Sequence, residues 1–191
     1  MITPFKANME IDWERLASMI NYVIEGGTDY IVALGTTAET PTLSKEEKRD
    51  VIRFFKQQIA GRVPLVIGAG GNNTLALTKE LQEMELDDVE AILSVTPYYN
   101  KPSQEGLYRH FEAVAKASPV PVILYNVPGR TGVNMSADTT CRLARDFDKI
   151  IAVKEASGKI DQIEQIIKNC PKDFLVLSGD DGMTVDVMRK G

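Results

Sequence analysis

The chain has 191 residues, 43% of them apolar and 26% charged, with a net charge of −5. That length can bury one sizeable core, and the acidic balance offers no surface for a polyanion, so nucleic acid is not an expected partner. No apolar stretch approaches the ~20 residues of a membrane span, and the opening Met1-Ile2-Thr3-Pro4-Phe5 lacks the charged and apolar regions of a signal peptide.

Short apolar runs alternate with amphipathic stretches from end to end. Leu16, Ile20, Val23 and Ile24 form the stripe of a first helix. Run 30–34 follows and exits into Gly35-Thr36-Thr37. Ser44-Lys45-Glu46-Glu47 is a capping box, and Val51, Ile52, Phe55 and Ile59 continue it at helical spacing. Run 63–67 exits into Gly68-Ala69-Gly70-Gly71. Asn73 stands where a dinucleotide fingerprint needs its last Gly or Ala, and GxxxxGK[ST] occurs nowhere, so a tight turn capped near Asn72 or Asn73 is expected instead. Run 91–95 exits into Thr96-Pro97-Tyr98-Tyr99, and Ser103 caps the next helix.

That helix carries His110, the only histidine and hence the only base for a Ser-His or Cys-His pair; it reads as a helix-surface residue. Run 120–125 exits into Asn126-Val127-Pro128, and Ser136 caps another helix. Runs 150–153 and 174–177 exit into Lys154-Glu155 and Ser178-Gly179-Asp180-Asp181, and the chain ends inside a further helical stretch. Cys141 and Cys170 form no CxxC pair and read as reduced packing residues of a cytosolic protein. No cluster of Cys and His suggests a metal site.

Nearly continuous apolar runs are expected of parallel strands covered on both faces. Their alternation with helices, without a composition break, predicts a single α/β domain over residues 1–191. A doubly wound sheet and a (β/α)8 barrel both fit. Polar or Gly-rich chemistry at many successive strand exits favours the barrel, whose site is ringed by the loops after its strands. Six runs are visible and a barrel needs eight. Residues 1–5 read as the tail of a first strand whose body is missing, and the chain reads as an interior piece of a longer protein. The runs at 30–34 and 174–177 are then expected to be unprotected edges.

Lys154 is the most informative residue. A strand-end lysine taken alone is an ordinary surface cation, here paired with Glu155. Beside apolar walls, however, desolvation disfavours an ammonium, and a neutral amine there can attack a carbonyl and form a Schiff base.

Four segments share a resemblance: Gly35-Thr36-Thr37-Ala38-Glu39, Thr96-Pro97-Tyr98-Tyr99-Asn100-Lys101-Pro102, Tyr125-Asn126-Val127-Pro128-Gly129-Arg130-Thr131 and Val153-Lys154-Glu155-Ala156-Ser157. In order and spacing they resemble the dihydrodipicolinate synthase family of class I aldolase-like barrels, the superfamily of N-acetylneuraminate lyase. The resemblance implies a (β/α)8 TIM barrel, incomplete here because the eighth strand and C-terminal helices are absent. It implies a lyase that condenses pyruvate with L-aspartate 4-semialdehyde on the way to diaminopimelate and lysine. Catalytic Lys154 would form the imine; Tyr125, Thr36 and Tyr99 would relay protons, Tyr99 from a neighbouring subunit. Thr37 would hold the pyruvate carboxylate and Arg130 that of the second substrate. No cofactor or metal is implied, and the assembly would be a cytoplasmic homotetramer.

Asn72 and Tyr98 match the family's allosteric lysine pocket, although Ala76 replaces an acidic residue there. Ala38 replaces a usual Gly, which matters only if that position needs a positive φ. Two alternatives remain: another pyruvate-dependent aldolase, or an inactive scaffold fragment.

Overall fold

The structure is a computed structural model describing residues 1–191. In chain order the elements are α1 (Trp13–Glu25), β1 (Ile31–Ala33), α2 (Lys45–Ile59), β2 (Leu65–Gly68), α3 (Thr74–Glu83), β3 (Ala91–Val95), α4 (Gln104–Ala117), β4 (Val122–Asn126), α5 (Pro128–Thr131), α6 (Ala137–Asp146), β5 (Ile150–Glu155), α7 (Ile160–Asn169), β6 (Leu175–Ser178) and α8 (Thr184–Met188). Six strands in chain order with helices between them are six of the eight repeats of a (β/α)8 barrel. No helix is long and apolar enough to cross a membrane.

The chain divides into two compact units. One comprises Met1–Ala69 with Met84–Ile92, the other Gly70–Glu83 with Leu93–Gly191.

In the first unit, β1 and β2 pair in parallel, Ile31 opposite Leu65 and Ala33 opposite Ile67. Gly68 ends β2 so close to β1's exit that a Cβ would sit 1.9 Å from the Leu34 carbonyl oxygen, so only glycine fits. Helix α2 begins with the expected capping box: the Glu47 amide donates to Ser44 Oγ (3.1 Å) and the Ser44 amide to Glu47 Oε2 (2.8 Å). Such a cap contributes about 1 kcal/mol. Its apolar stripe is buried as expected, at Val51, Ile52, Phe55 and Ile59.

Residues 1–4 form no strand. The Met1 ammonium instead donates to the Val32 carbonyl (2.6 Å), and Thr3 Oγ1 to the Ala38 carbonyl (2.9 Å). This segment supplies β1 with one outer partner, and Ile31 and Ala33 are buried, so β1 is not the bare apolar edge expected from sequence.

In the second unit, β4, β5 and β6 are parallel neighbours. Ser103 and Ser136 cap α4 and α6 through their hydroxyls, and Asn73 Oδ1 accepts from the Ala76 amide at the start of α3, all as expected. Every residue of β4 is buried, whereas Leu175 of β6 is 58% exposed and the other three residues are half-buried. Here the expected exposed edge is present.

Two further expectations need correction. His110 is not on the helix surface: it is 4% exposed, with Nδ1 2.8 Å from Thr74 Oγ1 of α3. Its spacing from Leu107, Phe111 and Val114 places it on the buried stripe of α4. The cysteines are not reduced: Cys141 of α6 and Cys170, the C-cap of α7, form a disulfide with their Cα atoms 4.6 Å apart. Packing of α6 against α7 closes a sequence separation of 29 that no local spacing motif revealed.

Candidate active site

Strand alternation sets the geometry. Tyr125 and Lys154 are opposite each other in register on β4 and β5, and so are Asn126 and Glu155 one residue later. Successive side chains point to opposite faces. Tyr125 and Lys154 therefore share one face, and Asn126 and Glu155 the other. Lys154 is the penultimate residue of β5 rather than the first residue beyond it, because the ladder with β4 continues to Glu155.

On the first face, the half-buried Lys154 places its Nζ 4.8 Å from the centroid of the buried Tyr125 ring. Gly179, just after β6, leaves room for the amine stem. A Cβ there would lie 2.8 Å from Ala156 Cβ and 3.2 Å from Lys154 Cε. The sequence marks Gly179 only as part of the polar exit of run 174–177. Its role as clearance for the lysine depends on a contact made 25 residues away in the chain, which local pattern does not reveal.

On the second face, Glu155 is 1% exposed and forms no ion pair; the surface Lys154–Glu155 pair expected of an isolated strand-end lysine does not exist. Its carboxylate instead accepts from the Ser157 amide (2.8 Å), Gln162 Nε2 (3.2 Å) and Asn126 Nδ2, which lies 3.1 Å from both oxygens.

Arg130 lies exposed in the single turn α5, between Asn126 and Asn134. Its amide and that of Thr131 donate to the Val127 carbonyl, and that of Gly132 to the Pro128 carbonyl. Tyr99 is 88% exposed, and its φ of 73° is unusual for a tyrosine. Tyr98 is less exposed, and its carbonyl accepts from Asn72 Nδ2 (3.2 Å), so these two sequence-predicted residues do meet.

Thr36 and Thr37 belong to the first unit, exposed on a single 3-10 turn over Thr36–Ala38. Thr37 Oγ1 donates to the Met1 carbonyl (3.4 Å). Ala38 is buried and is not among the positive-φ residues; the left-handed residue is Glu39, with φ of 54°. Alanine is therefore accommodated at 38 without backbone strain. A hollow of about 330 Å³ in this unit, lined by Trp13, Asp50, Arg53, Phe54 and Gln57, holds none of the sequence-predicted residues.

Comparison with known proteins agrees with the motifs. The 4-hydroxy-tetrahydrodipicolinate synthase of Parabacteroides distasonis is 54% identical over the 191 residues, all of this chain and 64% of the relative. That of Bacillus subtilis is 47% identical, with 66% of its length covered. Among solved structures, dihydrodipicolinate synthase from Bacillus anthracis superposes with a TM-score of 0.96 at 45% identity, covering all of this chain and 65% of that one. The Aquifex aeolicus enzyme gives 0.95 at 42% identity, with 65% of it covered. The chain thus spans about two thirds of the length of these relatives. The family model described as the dihydrodipicolinate synthetase family matches residues 1–191, and the chain belongs to that family.

Proposed function

We propose that this chain carries the imine-forming machinery of a 4-hydroxy-tetrahydrodipicolinate synthase, condensing pyruvate with L-aspartate 4-semialdehyde. The observation that carries the reading is Lys154 Nζ beside the Tyr125 ring, with Gly179 leaving its stem clear, in a chain of this family. The Lys154 amine adds to the pyruvate keto carbon, water leaves, and an imine forms. Loss of a methyl proton gives the enamine, whose carbon bonds to the aldehyde carbon. Attack by the substrate's own amine on the imine carbon then closes the ring and releases Lys154. The protonated imine is the electron sink, so the proposal invokes no cofactor.

Tyr125, Thr36 and Tyr99 move protons during imine formation and release. Thr37 holds the pyruvate carboxylate. The exposed guanidinium of Arg130 receives the second carboxylate as a bidentate pair, which favours aspartate semialdehyde over the neutral sugar aldehydes of related lyases. The outward Tyr99 ring supports assembly with a second copy, and the Asn72–Tyr98 contact supports a lysine site there. A cytoplasmic location completes the reading; free-thiol counting on protein from a cell extract tests whether the Cys141–Cys170 bond persists there.

The deciding experiment is borohydride trapping with pyruvate. The Lys154 peptide gains the reduced adduct, and Lys154→Ala abolishes it. Labelling that survives in Lys154→Ala, or none in the wild type, overturns the reading. Arg130→Ala should leave trapping intact while weakening use of aspartate semialdehyde.

A further inference from the structure

The mechanism leaves unused a buried carboxylate next to the nucleophile. Glu155 carries no ion pair, yet burying a carboxylate is costly unless it is well hydrogen-bonded. Here four hydrogen bonds from three groups surround it. Those groups come from three places: Asn126 at the end of β4, 29 residues away in the chain, Ser157 in the turn just after β5, and Gln162 in the first turn of α7.

The same groups grip a second segment. Asn126 Oδ1 accepts from the Met135 amide (2.9 Å), and Asn126 Nδ2 reaches Asn134 Oδ1 (2.9 Å). Asn134 Nδ2 in turn donates to Gln162 Oε1 (2.8 Å). Asn126 thus lies just before segment 127–133, which contains Arg130, and Asn134 just after it. Both ends are tied to the carboxylate whose chain neighbour is Lys154.

Resting on the imine reading above, we infer that Glu155, with Asn126 and Gln162, is a positioning group that fixes the Arg130 segment relative to Lys154. Lys154 and Glu155 occupy opposite faces of one strand, so the carboxylate never meets the substrate. It acts by holding the strand exit from which the amine projects. The donor pattern also makes charge essential to fit. Glutamine at 155 would present an NH2 group to donors on one side, either the Ser157 amide or Gln162 Nε2. Turning the Gln162 amide to accept it would break that residue's bond from Asn134.

The test uses the 191-residue chain and reads two quantities. One is the rate of pyruvate trapping on Lys154 as a function of pyruvate concentration. The other is hydrogen exchange at the Arg130, Thr131 and Gly132 amides. In Glu155→Gln the saturated trapping rate should fall about tenfold or more, while the half-saturating pyruvate concentration stays within about twofold, as expected when a bound reactant is misplaced. The three amides should exchange about tenfold faster, while those inside β4 do not change. Glu155→Asp, which keeps the charge, should lie between. Wild-type trapping and exchange in a folded Glu155→Gln variant overturn the inference. If that variant does not fold, Gln162→Ala carries the test: about threefold slower trapping and faster exchange are expected, and unchanged values overturn it. If the wild type takes up no pyruvate on Lys154, the imine reading falls and the exchange measurement alone decides the positioning role.

Discussion

β4 and β6 flank β5 on its two sides, and as sequence they read alike, Val-Ile-Leu-Tyr-Asn against Leu-Val-Leu-Ser. Every side chain of β4 is buried and none of β6 is. Parallel strands are buried only when neighbours cover both edges and both faces, and β6 has a strand partner on one edge alone. The residues with chemical promise follow the same divide. Tyr125, Asn126, Lys154 and Glu155 come from the pair with close neighbours, while β6 contributes clearance through Gly179 at its exit.

Four measurements would break or sharpen this contrast. Leu124→Ala, in the middle of β4 and fully buried, should destabilise the chain by about 2–5 kcal/mol in denaturant titration. A value below about 1 kcal/mol would mean that β4 can collapse around a void as β6 could. Reducing the Cys141–Cys170 bond, which ties together the helices following β4 and β5, should cost about 3–4 kcal/mol from loop entropy at a separation of 29; equal melting with and without reductant would count against it.

The third measurement concerns pH. Burial pushes the His110 imidazole down to about 4, so the folded chain keeps it neutral while the unfolded chain binds a proton near 6.5. The unfolded state then holds more protons between those values. Stability from this site is full above about 6.5 and is lost as pH falls towards 4, by about 3 kcal/mol. Comparing wild type with His110→Gln across that window isolates the site from the carboxylates, and parallel pH profiles would contradict it. The smallest effect belongs to the exposed strand. Leu175→Ala should change stability by no more than about 0.5 kcal/mol, and a larger loss would show β6 to be covered in solution.

Strands were readable because burial on both faces makes continuous apolar runs, and their observed ends differ mainly where a ladder continues into a polar exit such as Asn126 or Glu155. Helix caps were readable because a hydroxyl or amide at the N-cap acts within one turn. His110 was readable in principle: three residues from Leu107 and four from Val114, it sits on the apolar stripe, and its polarity masked its position. Glu155 looked like a partner for Lys154 because adjacency suggested contact, whereas period-two alternation sends neighbouring side chains apart. The disulfide and the clearance at Gly179 depend on contacts between segments far apart in the chain, and no local pattern carries them.

The Cys141–Cys170 bond also encloses a covalent ring of chain, and all of β5 with Lys154 lies inside it. A single protease cut anywhere within that ring cannot release a fragment. A nicked chain would run as one band without reductant and as two with it, and Lys154 would remain attached to both pieces of the protein until the bond was opened.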